Sequence, residues 1–135
     1  MELKGIKETC IYTTDLESAR HFYHDLLGLE IINYAEGRHI FFRVGYSVLL
    51  VFNPEDARKK TSPPPHHGQG ALHFAFEVGR EEYLEWKEKI KSLNISIIDE
   101  VIWDSGQESF YFNDPVGHVL EIIPEGIWDN LPSVK

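Results

Sequence analysis

The feature of this chain that most constrains its fold is a predicted order of elements that occurs twice. In the first half, the pattern predicts a strand at 6–13, a helix at 15–27, and strands at 29–34, 38–44 and 46–52. In the second half, it predicts a strand at 70–78, a helix at 80–93, and strands at 95–103, 108–113 and 118–123. Both halves therefore have the order β-α-β-β-β. A repeat of this kind predicts two similar modules, each packing one helix on the outer face of a curved sheet.

The strand at 70–78 alternates between large apolar and small or polar side chains. One face carries Leu72, Phe74, Phe76 and Val78, and the other carries Ala71, His73, Ala75 and Glu77. Since successive strand residues point to opposite faces, the apolar face should pack on the core and His73 should point away from it. Two alanines leave room beside His73. It is a candidate ligand, with a solvent-facing or core histidine as the alternative.

A tight turn precedes the last predicted strand. Pro115 fixes φ and Gly117 can adopt positive φ, so the run 113–117 predicts a turn between strands. The strand that follows carries Glu121 among four apolar residues. A carboxylate there is costly unless it is paired, protonated or bound to a metal. The alternative is that Glu121 lies on the solvent face of a half-buried strand.

Length and composition exclude several classes of protein. The 135 residues suffice for one domain or two small fused modules. A net charge of −9 argues against a nucleic-acid surface and against an anionic membrane partner. No apolar run reaches membrane-spanning length, and the N-terminus does not resemble a signal peptide. The single Cys10 excludes an internal disulfide, so we expect a cytoplasmic protein.

The predicted organisation is a first module at 1–53, a linker at 54–69, a second module at 70–124 and a C-terminal tail at 125–135, within one structural domain. Three consecutive prolines stiffen the linker, and charged and histidine residues keep it polar. A second interpretation of this segment is a rim over a binding site. His66 and His67 are either solvated loop residues or metal ligands.

Three segments together resemble the vicinal oxygen chelate superfamily, which includes glyoxalase I, fosfomycin-resistance enzymes, extradiol dioxygenases and bleomycin-resistance proteins. They are the opening 13–29, with its Asp-Leu, Phe-Tyr and Leu-Gly-Leu elements, the strand 72–76, and the ending 109–121. The resemblance implies an α+β fold of two βαβββ modules that form curved mixed sheets, the glyoxalase/bleomycin resistance/dioxygenase-like fold. It also implies a homodimer and a small-molecule substrate, with no nucleic acid and no membrane partner.

When the ligand positions of the superfamily are matched to the motifs of this sequence, the resemblance implies a metal site formed by Glu8, His73 and Glu121. The first-module counterpart of Glu121 is Leu50, which cannot bind a metal. Three protein ligands with open positions are the expected layout for a catalytic divalent ion, and this ligand set suits Mn, Fe, Ni or Zn. The superfamily usually places His, sometimes Gln, at the position of Glu8. The alternative is therefore a degenerate site without a metal.

The resemblance further implies catalytic roles for Glu121 and Tyr111 and substrate contacts from Tyr12, Leu50, Ser109 and Tyr111. Plain core or dimer packing is the alternative for the apolar residues among them. We expect a metal-dependent lyase, isomerase or dioxygenase that acts on a small oxygenated molecule. The alternative is a metal-free binding protein of the bleomycin-resistance type. The fosfomycin enzymes match the ending best, but the runs 103–107 and 126–130 contain no Lys or Arg to hold a phosphonate.

Overall fold

The computed structural model describes residues 1–134, which form two compact units, the first ending at Gly70 and the second beginning at Ala71. The first unit contains β1 (Glu8–Tyr12), α1 (Leu16–Ala19), β2 (Glu30–Ala35), β3 (His39–Val44), β4 (Ser47–Phe52) and α2 (Pro54–Ala57). A π-helical segment, Arg20–Leu26, continues α1. Asp15 caps α1 by accepting a hydrogen bond from the Ser18 amide, which satisfies one free donor of the first turn.

The first sheet has the strand order β1-β4-β3-β2, with β1 and β4 parallel and the other pairs antiparallel. One face packs against the helical segment, where the buried rings of Tyr23 and Phe42 lie 5.5 Å apart. Ile11 from β1 and Ile40 from β3 are buried with them. The opposite face carries a separate apolar cluster of Leu50, Phe52 and Ala57, so α2 covers part of that face.

The second unit contains β5 (His73–Val78), α3 (Tyr83–Ser92), β6 (Ile97–Ile102), β7 (Glu108–Asn113) and β8 (Val119–Pro124). A single 3-10 turn, Arg80–Glu82, precedes α3. The sheet has the order β5-β8-β7-β6, with β5 and β8 parallel. Tyr83 of α3 packs on Phe110 of β7 at 5.6 Å, so the core of this unit lies between α3 and the central strands.

The predicted repeat is confirmed by the topology. Both sheets place their first strand parallel to their fourth, and both interrupt the ladder between their second and third strands at the same place, Ile31/Asn33 and Ile97/Asp99. The prediction of a glyoxalase/bleomycin resistance/dioxygenase-like fold with two βαβββ modules is therefore confirmed.

Two predicted elements differ in detail. The helix predicted at 15–27 has only four α-helical residues and then widens into the π-helical segment. The run predicted to be irregular from Asn53 contains α2, in which the Asn53 side chain accepts from the Glu55 amide and Pro54 occupies the first turn. A one-turn helix has no apolar periodicity, which is why the pattern missed it. No helix among residues 1–134 has the length and apolarity needed to cross a membrane.

Candidate metal and substrate site

The second unit brings two of the predicted ligands together. His73 on β5 and Glu121 on β8 lie on neighbouring parallel strands, with His73 paired to Val119 and Ala75 paired to Glu121. The His73 Nε2 atom lies 3.4 Å from a carboxylate oxygen of Glu121. The Glu121 side chain is only 9% exposed, whereas that of His73 is 50% exposed. The pair therefore lies at the edge of the protein interior, open to solvent on the histidine side.

The hydrogen bond at the other ring nitrogen fixes the orientation of His73. Its Nδ1 lies 2.8 Å from the Val119 carbonyl oxygen. A carbonyl can only accept, so Nδ1 carries the proton and donates. The lone pair of a neutral His73 then lies on Nε2, the atom that faces Glu121. Histidine ligands of metals are commonly oriented by such a bond from the second nitrogen to a carbonyl.

Tyr111 lies beside this pair. It is directly opposite Glu121 in the β7–β8 ladder, and its ring stacks on that of His73 at 6.0 Å. Burial, followed by the hydrogen bond from its hydroxyl to Glu121, raises the pKa of Tyr111. Tyr111 therefore keeps its proton at neutral pH and acts as a hydrogen-bond donor.

Ser109, predicted to contact substrate, is fully buried one strand period before Tyr111. Its Oγ accepts a hydrogen bond of 3.0 Å from the indole Nε1 of Trp103. The sequence predicted Trp103 as the last residue of the strand 95–103 and gave it no role, whereas in the structure β6 ends at Ile102 and Trp103 lies in the loop that follows.

His118 is a second residue that sequence reasoning missed. It is 1% exposed, and its Nδ1 accepts a hydrogen bond of 3.1 Å from the Leu72 amide, directly before His73. Its own amide donates to Asp114 Oδ1 at 2.9 Å, within the turn where Gly117 has φ of 91°. The predicted turn thus also attaches the start of β5 to β8. The sequence showed the turn but not this contact across the sheet.

The strand registers define equivalent positions in the two sheets. Glu8 pairs with Val48 as His73 pairs with Val119, and Cys10 pairs with Leu50 as Ala75 pairs with Glu121. Glu8 is therefore the counterpart of His73, and Leu50 is the counterpart of Glu121. Glu8 is exposed on β1, while Leu50 is buried at 8% exposure in an apolar cluster.

The first unit has an aromatic face around Phe52. Five groups contact this ring: Tyr12, His39, Phe41, His66 and the Lys60 ammonium. The Tyr12 hydroxyl lies 2.7 Å from His66 Nδ1. The sequence left two interpretations of His66 open, a solvated loop residue or a metal ligand. In the structure, an aromatic contact and a polar contact hold His66 against the sheet. A Cβ at Gly68 would meet the Tyr12 ring at 2.8 Å, so the linker passes closely over this face.

The model of the Glyoxalase/Bleomycin resistance protein/Dioxygenase superfamily matches residues 5–122. The chain belongs to this superfamily. The match runs from before β1 into β8, so it spans both βαβββ modules of the superfamily fold.

Several relatives within the superfamily carry related names. The chain is 25% identical over 136 residues to the metallothiol transferase FosB of Staphylococcus epidermidis, covering 100% of this chain and 92% of that protein. It is 26% identical over 127 residues to the glutathione transferase FosA of Serratia marcescens, covering 89% and 80% respectively.

Among solved structures, a lactoylglutathione lyase from Agrobacterium tumefaciens is 32% identical with a TM-score of 0.90, covering 95% of this chain and 98% of that one. A mutant of the fosfomycin resistance protein FosX from Listeria monocytogenes, complexed with Mn(II) and dihydroxypropylphosphonic acid, is 21% identical with a TM-score of 0.70. It covers 96% of this chain and 97% of that one, and at this identity it shows the fold alone.

The predicted ligand set of the superfamily site is assembled in part. The second unit holds His73 and Glu121, and Glu8 belongs to the first unit. Across residues 1–134, no three His, Cys, Asp or Glu side chains form a group that could hold a metal ion. The set of Glu8, His73 and Glu121 therefore stays a prediction.

Proposed function

We propose that this chain is a metal-dependent enzyme that acts on a small oxygenated molecule, with His73 and Glu121 as two ligands of a divalent ion and Glu8 as the third. The observation that carries the proposal is the orientation of His73. Its Nδ1 donates to a backbone carbonyl, and its Nε2 faces a buried carboxylate oxygen at 3.4 Å. A carboxylate oxygen beside an imidazole nitrogen that carries a lone pair is a pair of donors that suits a divalent cation.

The donor set fits a divalent ion of hard or borderline character. Carboxylate oxygens and imidazole suit Mn²⁺, Fe²⁺, Ni²⁺ or Zn²⁺ better than soft Cu(I). Such an ion would polarise an oxygen of the substrate as a Lewis acid. Tyr111, whose raised pKa keeps its hydroxyl protonated, would donate its one proton to Glu121, and its oxygen would accept a hydrogen bond from a hydroxyl of a bound molecule.

The names of the relatives support a narrower reaction class. The metallothiol transferase, the glutathione transferase and the lactoylglutathione lyase all refer to thiol compounds. We therefore propose a thiol-dependent transferase or lyase in place of an isomerase or dioxygenase. The absence of Lys and Arg from 103–107 and 126–130 favours a substrate other than a phosphonate dianion.

The metal is tested first by melting curves of chelator-treated protein with Mn²⁺, Ni²⁺, Zn²⁺ or Mg²⁺ added singly. An ion that binds only the folded state adds about 2.7 kcal/mol at about 100-fold excess over Kd. For a domain of this size the melting temperature should rise by about 5–15 °C. His73→Ala and Glu121→Ala should each abolish most of the rise, and Glu8→Leu should do the same.

Two controls make the result specific. His67→Ala changes an exposed histidine of the linker and should keep the full rise. Glu8→His should also keep it, since imidazole is a good ligand for the same ions. A wild-type protein whose melting temperature does not respond to any of the ions would contradict the metal site.

The reaction class is tested by incubating the Mn²⁺-loaded protein with glutathione or cysteine and either fosfomycin or the hemithioacetal of methylglyoxal and glutathione. Product formation should require both the metal and the thiol, and Glu121→Gln should abolish it. Turnover that does not depend on a thiol would refute the narrower class and leave the metal-dependent enzyme in place.

A metal-free binding protein is the second candidate, and the aromatic face of the first unit favours it. Leu50 stands where the second sheet has Glu121, and Phe41, Phe52 and Tyr12 lie around it. Such a protein would bind a small aromatic compound equally well with and without chelator, and Phe52→Ala would weaken that binding.

A further inference from the structure

The linker crosses the aromatic face of the first unit with very few polar attachments. We call residues 60–69 of the linker the strap, which contains neither helix nor strand. Among the described residues, the one hydrogen bond that the strap makes joins His66 Nδ1 to the Tyr12 hydroxyl at 2.7 Å. A segment without backbone hydrogen bonds opens locally at a low cost in free energy. Opening of the strap therefore requires little beyond the loss of its side-chain contacts.

Three contact points hold the strap on the aromatic face. The Lys60 ammonium lies 5.4 Å from the centre of the Phe52 ring. The His66 ring meets the same ring edge-on, with a centroid distance of 4.7 Å and an interplanar angle of 82°. At Gly68 the backbone lies so close to the Tyr12 ring that a Cβ would come within 2.8 Å of it. With the strap in place, the Phe52 side chain is buried, so the strap covers an aromatic surface of the sheet.

The His66 ring makes the contacts that a small aromatic ligand would make at this position. It is planar, it packs edge-to-face on Phe52, and it places one hydrogen-bonding atom on the Tyr12 hydroxyl. Edge-to-face contacts are a favoured arrangement of aromatic rings, and a tyrosine hydroxyl can both donate and accept. The adjacent His67 is exposed and makes no hydrogen bond or ring contact within residues 1–134. The contacts therefore belong to His66 alone of this histidine pair.

We infer that the strap is an autoinhibitory segment, in which His66 occupies the position of a planar aromatic ligand on the aromatic face. A compound with a planar ring and one hydroxyl binds there by displacing His66 from Phe52 and Tyr12. The inference rests on the second candidate of the proposed function, which takes the aromatic face as the binding surface, and it requires no metal. The apparent affinity for the ligand is then the intrinsic affinity multiplied by the fraction of molecules in which the strap is open.

The first test uses trypsin on the full chain without any ligand, with cleavage after Lys60 followed by mass spectrometry. Lys60 must leave the Phe52 ring to enter the protease, so the cleavage rate follows the population of the open strap. His66→Ala should raise this rate by about tenfold, because it removes both the ring contact and the hydrogen bond. Tyr12→Phe removes only the hydrogen bond and should raise the rate by a smaller factor. His67→Ala is the matched control and should be cleaved like the wild type.

The second test adds 2-naphthol, a planar ring system with one hydroxyl, to the full chain. By titration calorimetry, His66→Ala should bind it about tenfold more tightly than the wild type, because the competing ring is gone. His67→Ala should bind it like the wild type. The compound should also accelerate cleavage of the wild type after Lys60, since it displaces the strap. A ligand that left this cleavage rate unchanged or lowered it would overturn the inference.

The outcomes separate the inference from the proposed function. Equal trypsin cleavage of wild type and His66→Ala would show that His66 does not hold the strap, and the inference alone would be wrong. If both proteins bind 2-naphthol equally well and Phe52→Ala weakens that binding, the binding surface stands without autoinhibition. If neither binds it, the second candidate and the inference fail together. The metal-dependent enzyme is judged separately, by the response of the melting temperature to added ions.

Discussion

Two histidines of the second unit use the same ring atom in opposite ways. The Nδ1 of His73 donates to the Val119 carbonyl, whereas the Nδ1 of His118 accepts from the Leu72 amide. The two bonds lie at Leu72, directly before β5, and at His73, its first residue, and both connect this end of β5 to the segment around β8. A substitution at either histidine therefore affects the position of the candidate site, although only His73 faces Glu121.

His118→Leu should destabilise the protein by about 1–3 kcal/mol, because the partly buried Leu72 amide loses its acceptor. Urea denaturation followed by circular dichroism measures this change. His21→Leu, at an exposed helical position, should change stability by less than about 0.5 kcal/mol. If the unfolding midpoint of His118→Leu equals that of the wild type, the hydrogen bond to the Leu72 amide contributes nothing to stability.

His39 gives the first unit a defined response to acid. Burial, followed by the nearby Lys60 and Arg38 charges, lowers the pKa of His39 from 6.5. Its Nε2 lies 2.7 Å from the side-chain Oδ1 of Asn33, and its buried Nδ1 is the one buried side-chain nitrogen or oxygen among the described residues that has no hydrogen-bond partner. Protonation would place a charge on that nitrogen.

Since the folded pKa is below the unfolded value, the stabilisation by neutral His39 is complete above pH 6.5 and is lost as pH falls through the lowered pKa. His39→Phe should therefore lose less stability than the wild type between about pH 7.5 and about pH 5. Denaturant midpoints at the two pH values measure the difference. His67→Gln is the exposed comparison, and an identical acid response in wild type and His39→Phe would refute the assignment.

At the scale of elements, the packing of α3 on its sheet includes one polar ring beside the buried Ile90. Tyr83 begins α3, is 7% exposed and lies against Phe110. Burial, followed by the Glu108, Glu100 and Glu121 charges, raises the pKa of Tyr83 to about 12. Ionisation of this tyrosine therefore opposes the attachment of α3 to β7.

The sign of the effect follows from the raised pKa. The stabilisation is complete below the unfolded value of 10.0 and is lost as pH rises from there to about 12. Tyr83→Phe should lose less stability over that alkaline range, as measured by denaturation at a series of pH values. Tyr46→Phe, at a position that is 74% exposed, is the control. The prediction fails if the two variants have the same alkaline dependence.

The sequence predicted the elements with local signals and missed those without them. Alternation in 70–78 and the Pro115–Gly117 turn were sufficient to place His73 and Glu121 on their strands. The π-helical widening of 20–26 leaves the apolar stripe of a helix intact, so periodicity could not distinguish it. Trp103 and His118 act through contacts across the sheet, and no pattern along the chain encodes those contacts.

At the scale of the whole molecule, we predict a homodimer. β1 and β5 each lie at the edge of their own sheet, and edge strands present backbone groups that can pair with another chain. Two-fold dimers are the commonest assembly of soluble proteins. Light scattering at micromolar concentration should give about twice the 15.6 kDa mass of the chain. A mass equal to that of one chain would contradict the prediction.

The matching registers of β1–β4 and β5–β8 have an evolutionary consequence. If both modules descend from one duplicated ancestor, Leu50 and Glu121 are the same ancestral position with two later fates. A leucine keeps its strand buried without any ionic partner, so the first copy folds with no charged group at this position, whereas the second copy must give its buried carboxylate a polar partner such as His73.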